Sequence, residues 1–235
     1  GGLQMQNPYW ITNEIANKNE NNRYMLSTTA KYNVLKWLNI SGRVRIDNTY
    51  GVFSEKRPAT TDGLFASEFG FYQLTNTTIK STYADVLISI QKDISKNLAF
   101  NANIGTSLVN ETSNSLKVGG KLTTLANFFS ITDNTNASPT QGYGPIRDHQ
   151  DQAVFATSEF KFKNMLFLNA TGRYEWPSAL AGAEKKSYFY PSVGVSGVVT
   201  DIFGIKNNIL SYLKTRFSYA EVGNAPQPGI TNPTY

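Results

Sequence analysis

Cysteine is absent from the 235 residues. That excludes a disulfide framework, a zinc–thiolate site and a thiol nucleophile. It also suits a chain that crosses an oxidising compartment before folding. Histidine occurs once, as His149 in RDHQD beside Arg147, Asp148 and Asp151. A single imidazole in a polar loop reads as a solvated side chain, and soft-metal sites are not expected. Charge is sparse: 17% of residues are charged, against roughly 25% for ordinary soluble domains. The net charge of +5 comes from scattered lysines and arginines, which is not the footprint of a nucleic-acid binder. No apolar run is long enough for a membrane-spanning helix, and no secretory leader is read at the start.

Catalytic material is scarce as well. Asp133-Asn134-Thr135-Asn136 has the oxygen donors of a calcium loop but not its glycine at position six or its acidic residue at position twelve. Gly-x-Ser-x-Gly is missing, and the GVSGV around Gly194–Val198 is strand alternation. No glycine-rich phosphate loop precedes a helix. Neither an enzyme nor a cofactor is expected.

What the chain does have is period-two patterning. Leu38, Ile40, Gly42, Val44, Ile46 and Tyr50 fall on one side of an extended segment, with Asn39, Ser41, Arg43, Arg45, Asp47 and Thr49 on the other. Seven further segments repeat this pattern: from Arg23, Ser81–Gln91, Leu98–Val109, Gln152–Phe162, Leu166–Trp176, Phe189–Val199 and Lys214–Val222. Alternation over so many residues fits strands and not helices. The breaks themselves alternate. Leu35–Trp37, Asp93–Asn97 and Lys163-Asn164 are short, whereas Gly51–Lys80, Asn110–Asp148 and the segment before Ser187 are long and polar. Two helical pieces are expected inside the connections, over Lys121–Phe129 and within Ile205–Lys214.

Antiparallel strands joined in order put successive connections at opposite ends of the sheet. One end then carries short turns and the other long loops, the pattern of outer-membrane barrels. The segments also reach the 9–11 residues that a tilted strand needs to cross a bilayer. Tyr24, Tyr32, Trp37, Tyr50, Tyr174, Trp176 and Tyr188 lie near strand ends, where aromatic girdles sit. The expected fold class is therefore all-β: an antiparallel transmembrane β-barrel segment of about eight long strands, forming a single barrel domain over residues 1–235. Leu168, Ala170 and Tyr174 are expected to meet lipid. Asn169, Thr171 and Arg173 are expected to meet the lumen, together with Arg43, Arg45, Asp47 and Glu175, whose charges can pair with one another, hold a plug or line a solute path. Phe71, Tyr72, Tyr143 and Trp176 are candidate ligand or lid contacts in the extracellular loops.

Four stretches carry a family resemblance: NPYW at Asn7–Trp10 followed by a polar run to Arg23, LNATGRYEW at Leu168–Trp176, SYFYPSVGVSGVV at Ser187–Val199, and LKTRFSYAEVGN at Leu213–Asn224. In this order they resemble the middle of the barrel of SusC/RagA-type TonB-dependent outer-membrane transporters. The resemblance implies a barrel of about 22 strands, closed by an N-terminal plug that couples to the TonB complex. It further implies a SusD-like surface lipoprotein as partner, and oligosaccharides or peptides as solutes. No TonB box, plug or terminal aromatic strand is read in these residues, so they are expected to be an internal segment. Two other readings compete: a complete eight-stranded outer-membrane barrel with an adhesin or structural role, and a soluble carbohydrate-binding β-sandwich. A strand path that closes on itself would favour the first. An apolar face buried against a second sheet would favour the second.

Overall fold

Threonine-rich stretches such as QLTNTTIKSTY (Gln73–Tyr83) lack a strong apolar alternation, but their β-branched side chains suit an extended, hydrated sheet. In the computed structural model, which describes residues 7–133, 142–143, 147–205 and 209–226, such stretches are strand. The strands are β1 (Ala16–Leu35), β2 (Leu38–Arg57), β3 (Phe71–Ser95), β4 (Leu98–Lys121), β5 (Gly142–Tyr143), β6 (Arg147–Phe162), β7 (Leu166–Pro177), β8 (Tyr188–Val198) and β9 (Lys214–Ala220). They form one sheet in the order β1-β2-β3-β4-β6-β7-β8-β9, with the two-residue β5 paired to β4.

Eight long or medium strands and consecutive antiparallel pairing agree with the sequence. Strand length differs. β3 and β4 have 25 and 24 residues, more than twice what a bilayer crossing needs. Most of Gly51–Lys80 and the first part of Asn110–Asp148, expected as loop, are thus the distal halves of β2, β3 and β4. Phe71 and Tyr72 lie in β3, not in a loop. Tyr143 lies in β5, opposite Leu116.

The short turns are where the sequence put them. Lys163 and Asn164 both take left-handed φ values, 50° and 57°; they are the central residues of a turn closed by the Met165 N–H to the Phe162 carbonyl at 2.9 Å, and residues 163–165 join β6 to β7. The helical expectations need correction. Lys121 ends β4, and residues 122–129 are irregular. Of the Ile205–Lys214 expectation, residues 206–208 lie outside the described ones and 209–213 are not helical; the helical turn described in this connection is α2 (Val199–Ile202). A helix also forms where loop was expected: α1 (Pro8–Glu14), whose cap Asn7 accepts at Oδ1 from the Tyr9 N–H at 2.9 Å and whose first residue is proline. Asn at the cap and Pro at the first helical position are both favoured there.

The chain divides into two compact units. One comprises residues 1–25, 47–81 and 111–148. Its small core is made by the two connections packing together: Ala66 and Leu122 are buried, Ser67 Oγ donates to the Leu122 carbonyl at 2.6 Å, and Asn127 Oδ1 accepts from the Ala59 N–H at 2.8 Å. The other unit comprises residues 26–46, 82–110 and 149–235. Here β7 pairs with β6 and β8 in continuous antiparallel register, for example Val154 with Tyr174 and Leu168 with Val195.

The apolar face of this second unit is open. Leu168 is 49% exposed, Val195 46% and Val154 48%. No second sheet covers it among the described residues, which removes the sandwich reading. β1 and β9 stand at the two ends of the strand path. A complete eight-stranded barrel would pair them, so that reading is removed too.

Candidate functional site: the polar face of the strands

Directly opposed residues in an antiparallel pair share a face. The register Phe155↔Arg173, Ala153↔Glu175, Arg173↔Tyr190 and Glu175↔Tyr188 therefore collects these side chains on one side of β6–β8. The apolar set Val154, Tyr174 and Phe189 occupies the other. Arg173 Nη2 donates to Glu175 Oε1 at 2.8 Å, and its guanidinium lies 6.0 Å from the Phe155 ring centre.

The same polar side continues through the neighbouring strands of this unit. Arg43 Nε donates to Asp85 Oδ2 at 2.7 Å, and its Nη2 donates to the Tyr83 hydroxyl at 3.5 Å. The guanidiniums of Arg43 and Arg45 lie 5.2 and 5.3 Å from the Tyr83 ring centre, within cation–π reach. Asn101 donates to Glu159 at 3.2 Å and Asn103 to Thr157 at 3.1 Å. His149 faces Asp151 at 2.8 Å. It belongs to this polar row, and no cluster of three or more metal-ligating side chains occurs among the described residues.

In the first unit Asp47 accepts from Arg23 through both carboxylate oxygens, Nε to Oδ1 at 2.8 Å and Nη2 to Oδ2 at 2.5 Å. Its distal end holds a cation–aromatic cluster. Arg57 lies 5.7 Å from the Phe65 ring centre and 5.0 Å from that of Phe71, and it is held by Glu55 at 2.6 Å. Lys56 lies 5.8 Å from Tyr72 and 5.6 Å from Phe129. Phe71 and Tyr72 are thus engaged by cations of this same chain. The side chain of Tyr143 lies outside the described ones, as do Asn134–Asn136 of the calcium-like stretch. Asp133 is structural. Its burial raises the carboxyl's pKa, but hydrogen bonds from Thr124 and from the Thr124, Leu125 and Thr123 amides outweigh that and hold it below the usual value.

The candidate residues separate by face. Arg43, Arg45, Arg173 and Glu175 share the polar side of the second unit, and Asp47 pairs in the first. Trp176 does not join the polar set. It stands opposite Gln152 on the apolar side of β7, tilted at 4.6 Å against Tyr174. Sequence reasoning missed Tyr83 and Asp85, the partners of Arg43. Their signal was present, because the apolar set Thr82, Ala84 and Val86 leaves the odd positions of β3 on the polar face. The arrangement pairs charge and stacks aromatics on a hydrated wall.

Solved chains with the same fold include the following. The "Structure of the RagAB peptide transporter" aligns at a TM-score of 0.72 and 16% identity, over 93% of this chain and 24% of that one. The "Structure of the RagAB peptide importer in the 'open-open' state" gives a TM-score of 0.74, 16% identity, and 92% and 24% coverage. The 'closed-closed' state gives 0.69, with the same identity and coverage. The chain therefore spans about a quarter of the length of the solved chains it matches. No curated protein sequence matches it. The family described as TonB dependent receptor-like, beta-barrel matches residues 1–235, and with strands, register and faces in agreement, this chain belongs to that family.

Proposed function

We propose that these strands are part of the wall of an outer-membrane importer of the SusC/RagA type, a multi-pass β-barrel that takes up oligosaccharides or peptides too large for porins. The observation that carries this reading is the division of the faces. Leu168, Val195 and Val154 stand exposed on one side, as lipid contact requires, while Arg43–Asp85 and Arg173–Glu175 form a hydrated lattice on the other. Exposed apolar bands alternating with a polar interior are the pattern of transmembrane barrels. The polar side then faces the lumen, with Arg43, Arg45, Asp47, Arg173 and Glu175 lining it. The short turns face the periplasm. The cation–aromatic cluster at Phe71 and Tyr72 lies on the extracellular side, where Tyr143 is also a candidate contact, whereas Trp176 stands on the lipid side.

The partners in this reading are a SusD-like surface lipoprotein outside and a TonB complex acting through an N-terminal plug. The solved proteins of the same fold are named as peptide transporters, which supports a peptide as solute. The test is binding of oligopeptides and oligosaccharides by the full-length protein in detergent, with and without a co-purifying lipoprotein. Lipoprotein-dependent binding of either solute class supports import. Absence of both solute binding and a lipoprotein partner overturns it.

A further inference from the structure

We infer that the polar face of β6–β9, at the end where the short turns lie, holds the carboxylates of an extended acidic peptide. One row runs across four strands there: Lys161 opposes Phe167, Phe167 opposes Ser196, and Ser196 opposes Arg216. It lies on the same face as the row of Phe155, Arg173 and Tyr190, closer to the turns. Lys214 reaches over this row, with its ammonium 4.3 Å from the Phe167 ring centre. These cations differ from those farther along the wall. Arg43 is paired with Asp85 and Arg173 with Glu175, and Arg45 lies on the Tyr83 ring beside the first pair. Lys161, Lys214 and Arg216 form no ion pair among the described residues. The acids of this end do not neutralise them: Glu159 accepts from Asn101 at 3.2 Å, and Asp93 forms no ion pair among the described residues either.

The spacing selects the ligand. Neighbouring strands lie about 4.8 Å apart, so Lys161 and Arg216 stand about 14 Å apart, backbone to backbone, across three strand intervals. The hydrogen-bonded sheet fixes that spacing, so the cations do not converge on a compact anion such as phosphate. An extended peptide advances about 3.3 Å per residue and repeats its side chains on one side every second residue, so carboxylates at positions i and i+4 span about 13 Å. The one at i+2 then falls toward Lys214. Neutral solutes gain nothing from such a row, and cationic ones are repelled. A recess of about 750 Å³ prolongs the row beyond Lys161, with Asp93, Ser95, Asn97, Ala99, Lys161 and Lys163 among its lining residues. The Lys163 N–H donates to the Asn97 carbonyl at 2.7 Å, which ties two of the short turns together at its rim. The Ser95 hydroxyl and the Asn97 amide offer donors to peptide carbonyls, which favours a peptide over an acidic glycan.

The inference deepens the import reading and rests on it, because that reading makes this face the lumen, so the experiment separates the two. Binding to the full-length protein in detergent, with any co-purifying lipoprotein, is measured for three probes: an octapeptide of alternating serine and glutamate, its serine–glutamine counterpart, and tetragalacturonate. The expected result is a preference of about tenfold for the glutamate peptide over the glutamine one, shrinking as salt is added. Lys161→Gln and Arg216→Gln are each expected to weaken the glutamate peptide about threefold, the effect of removing one exposed charge contact, and to leave the glutamine peptide unchanged. A benzophenone on the glutamate peptide is expected to crosslink to β6–β9 near Phe167. The urea midpoint of each variant checks that it is folded. No binding of the glutamate peptide, equal affinity for the two peptides, or unchanged affinity in both variants would overturn the site and leave the import of other solutes standing. Tighter binding of tetragalacturonate would overturn the peptide assignment. If the double variant instead opens an N-terminal plug to protease and leaves glutamate-peptide binding unchanged, the row serves the plug and the proposal falls. Absence of binding by all three probes, together with absence of a lipoprotein, would remove the import reading itself.

Discussion

Arg43 Nε donates to Asp85 Oδ2 at 2.7 Å, joining two residues that lie 42 positions apart in the chain. Asp85 has 10% of its side-chain surface accessible, and Tyr83 takes the other edge of the guanidinium. Loss of either partner leaves a partly desolvated charge on the polar wall. Asp85→Ala is expected to lower the urea midpoint of the reconstituted protein. The exchange Arg43→Asp with Asp85→Arg is expected to recover part of the loss. A double-mutant cycle checks the coupling, and additive effects would show that the pair contributes only geometry.

The two faces of β7 make opposite predictions for the same substitution. Leu168 stands on the apolar face opposite Val195, and Thr171 stands on the polar face opposite Ser192. An arginine in the lipid-facing band costs about 2–4 kcal/mol near the bilayer midplane and little on the lumen side. Leu168→Arg should therefore destabilise the barrel in lipid vesicles by an amount in that range, while Thr171→Arg stays close to wild type. Equal losses at the two positions would contradict the assignment of faces.

The faces were legible in the sequence because alternation is a local property. Val44 and Ile46 against Arg43 and Arg45 is visible without any partner strand. Strand ends were less legible. Between Leu74 and Ile79 the run Thr75-Asn76-Thr77-Thr78 carries no large apolar side chain, so the alternation that marks a strand fades although β3 continues through it. Asn7-Pro8 was ambiguous in another way. The pair that marks a turn is also a helix cap followed by a favoured first residue, and only the contact from the Tyr9 N–H decides between them. Pairings such as Arg43–Asp85 depend on register between strands, which no single segment encodes.

Gly119 ties β4 closely to β3. Its φ is +115°, and a Cβ there would lie 2.2 Å from the Tyr72 carbonyl oxygen and 2.8 Å from the Gln73 Cα. Both obstacles are backbone, so side-chain rotation cannot relieve them. Gly119→Ala is expected to cost about 1–3 kcal/mol through forced backbone strain. The loss should appear as raised amide exchange in the distal parts of β3 and β4, with the exchange of β7 and β8 unchanged. Wild-type exchange throughout would show that the strands can separate at this point without cost.

Asp133 gives the pH prediction. It lies in the connection after β4, outside the spanning segments, and its Oδ2 accepts from the Thr124 and Leu125 amides at 3.4 Å each. Burial disfavours its charge, but these and the Thr124 side-chain hydrogen bond more than offset that, so the folded carboxyl titrates below its ordinary value of 3.8. A depressed folded value means that the unfolded segment binds the proton more readily. The stabilisation is then fully present above the ordinary carboxylate range and is lost as pH falls through the folded value. The Thr124 and Leu125 amides should hold constant protection, corrected for intrinsic exchange, from neutral pH down to the ordinary Asp range, and lose it below. Asp133→Asn keeps the shape but removes the charge. Its protection should be lower at neutral pH and flat across the acid range. A wild-type profile that stays flat through the acid range would show that the carboxylate does not hold this connection in place.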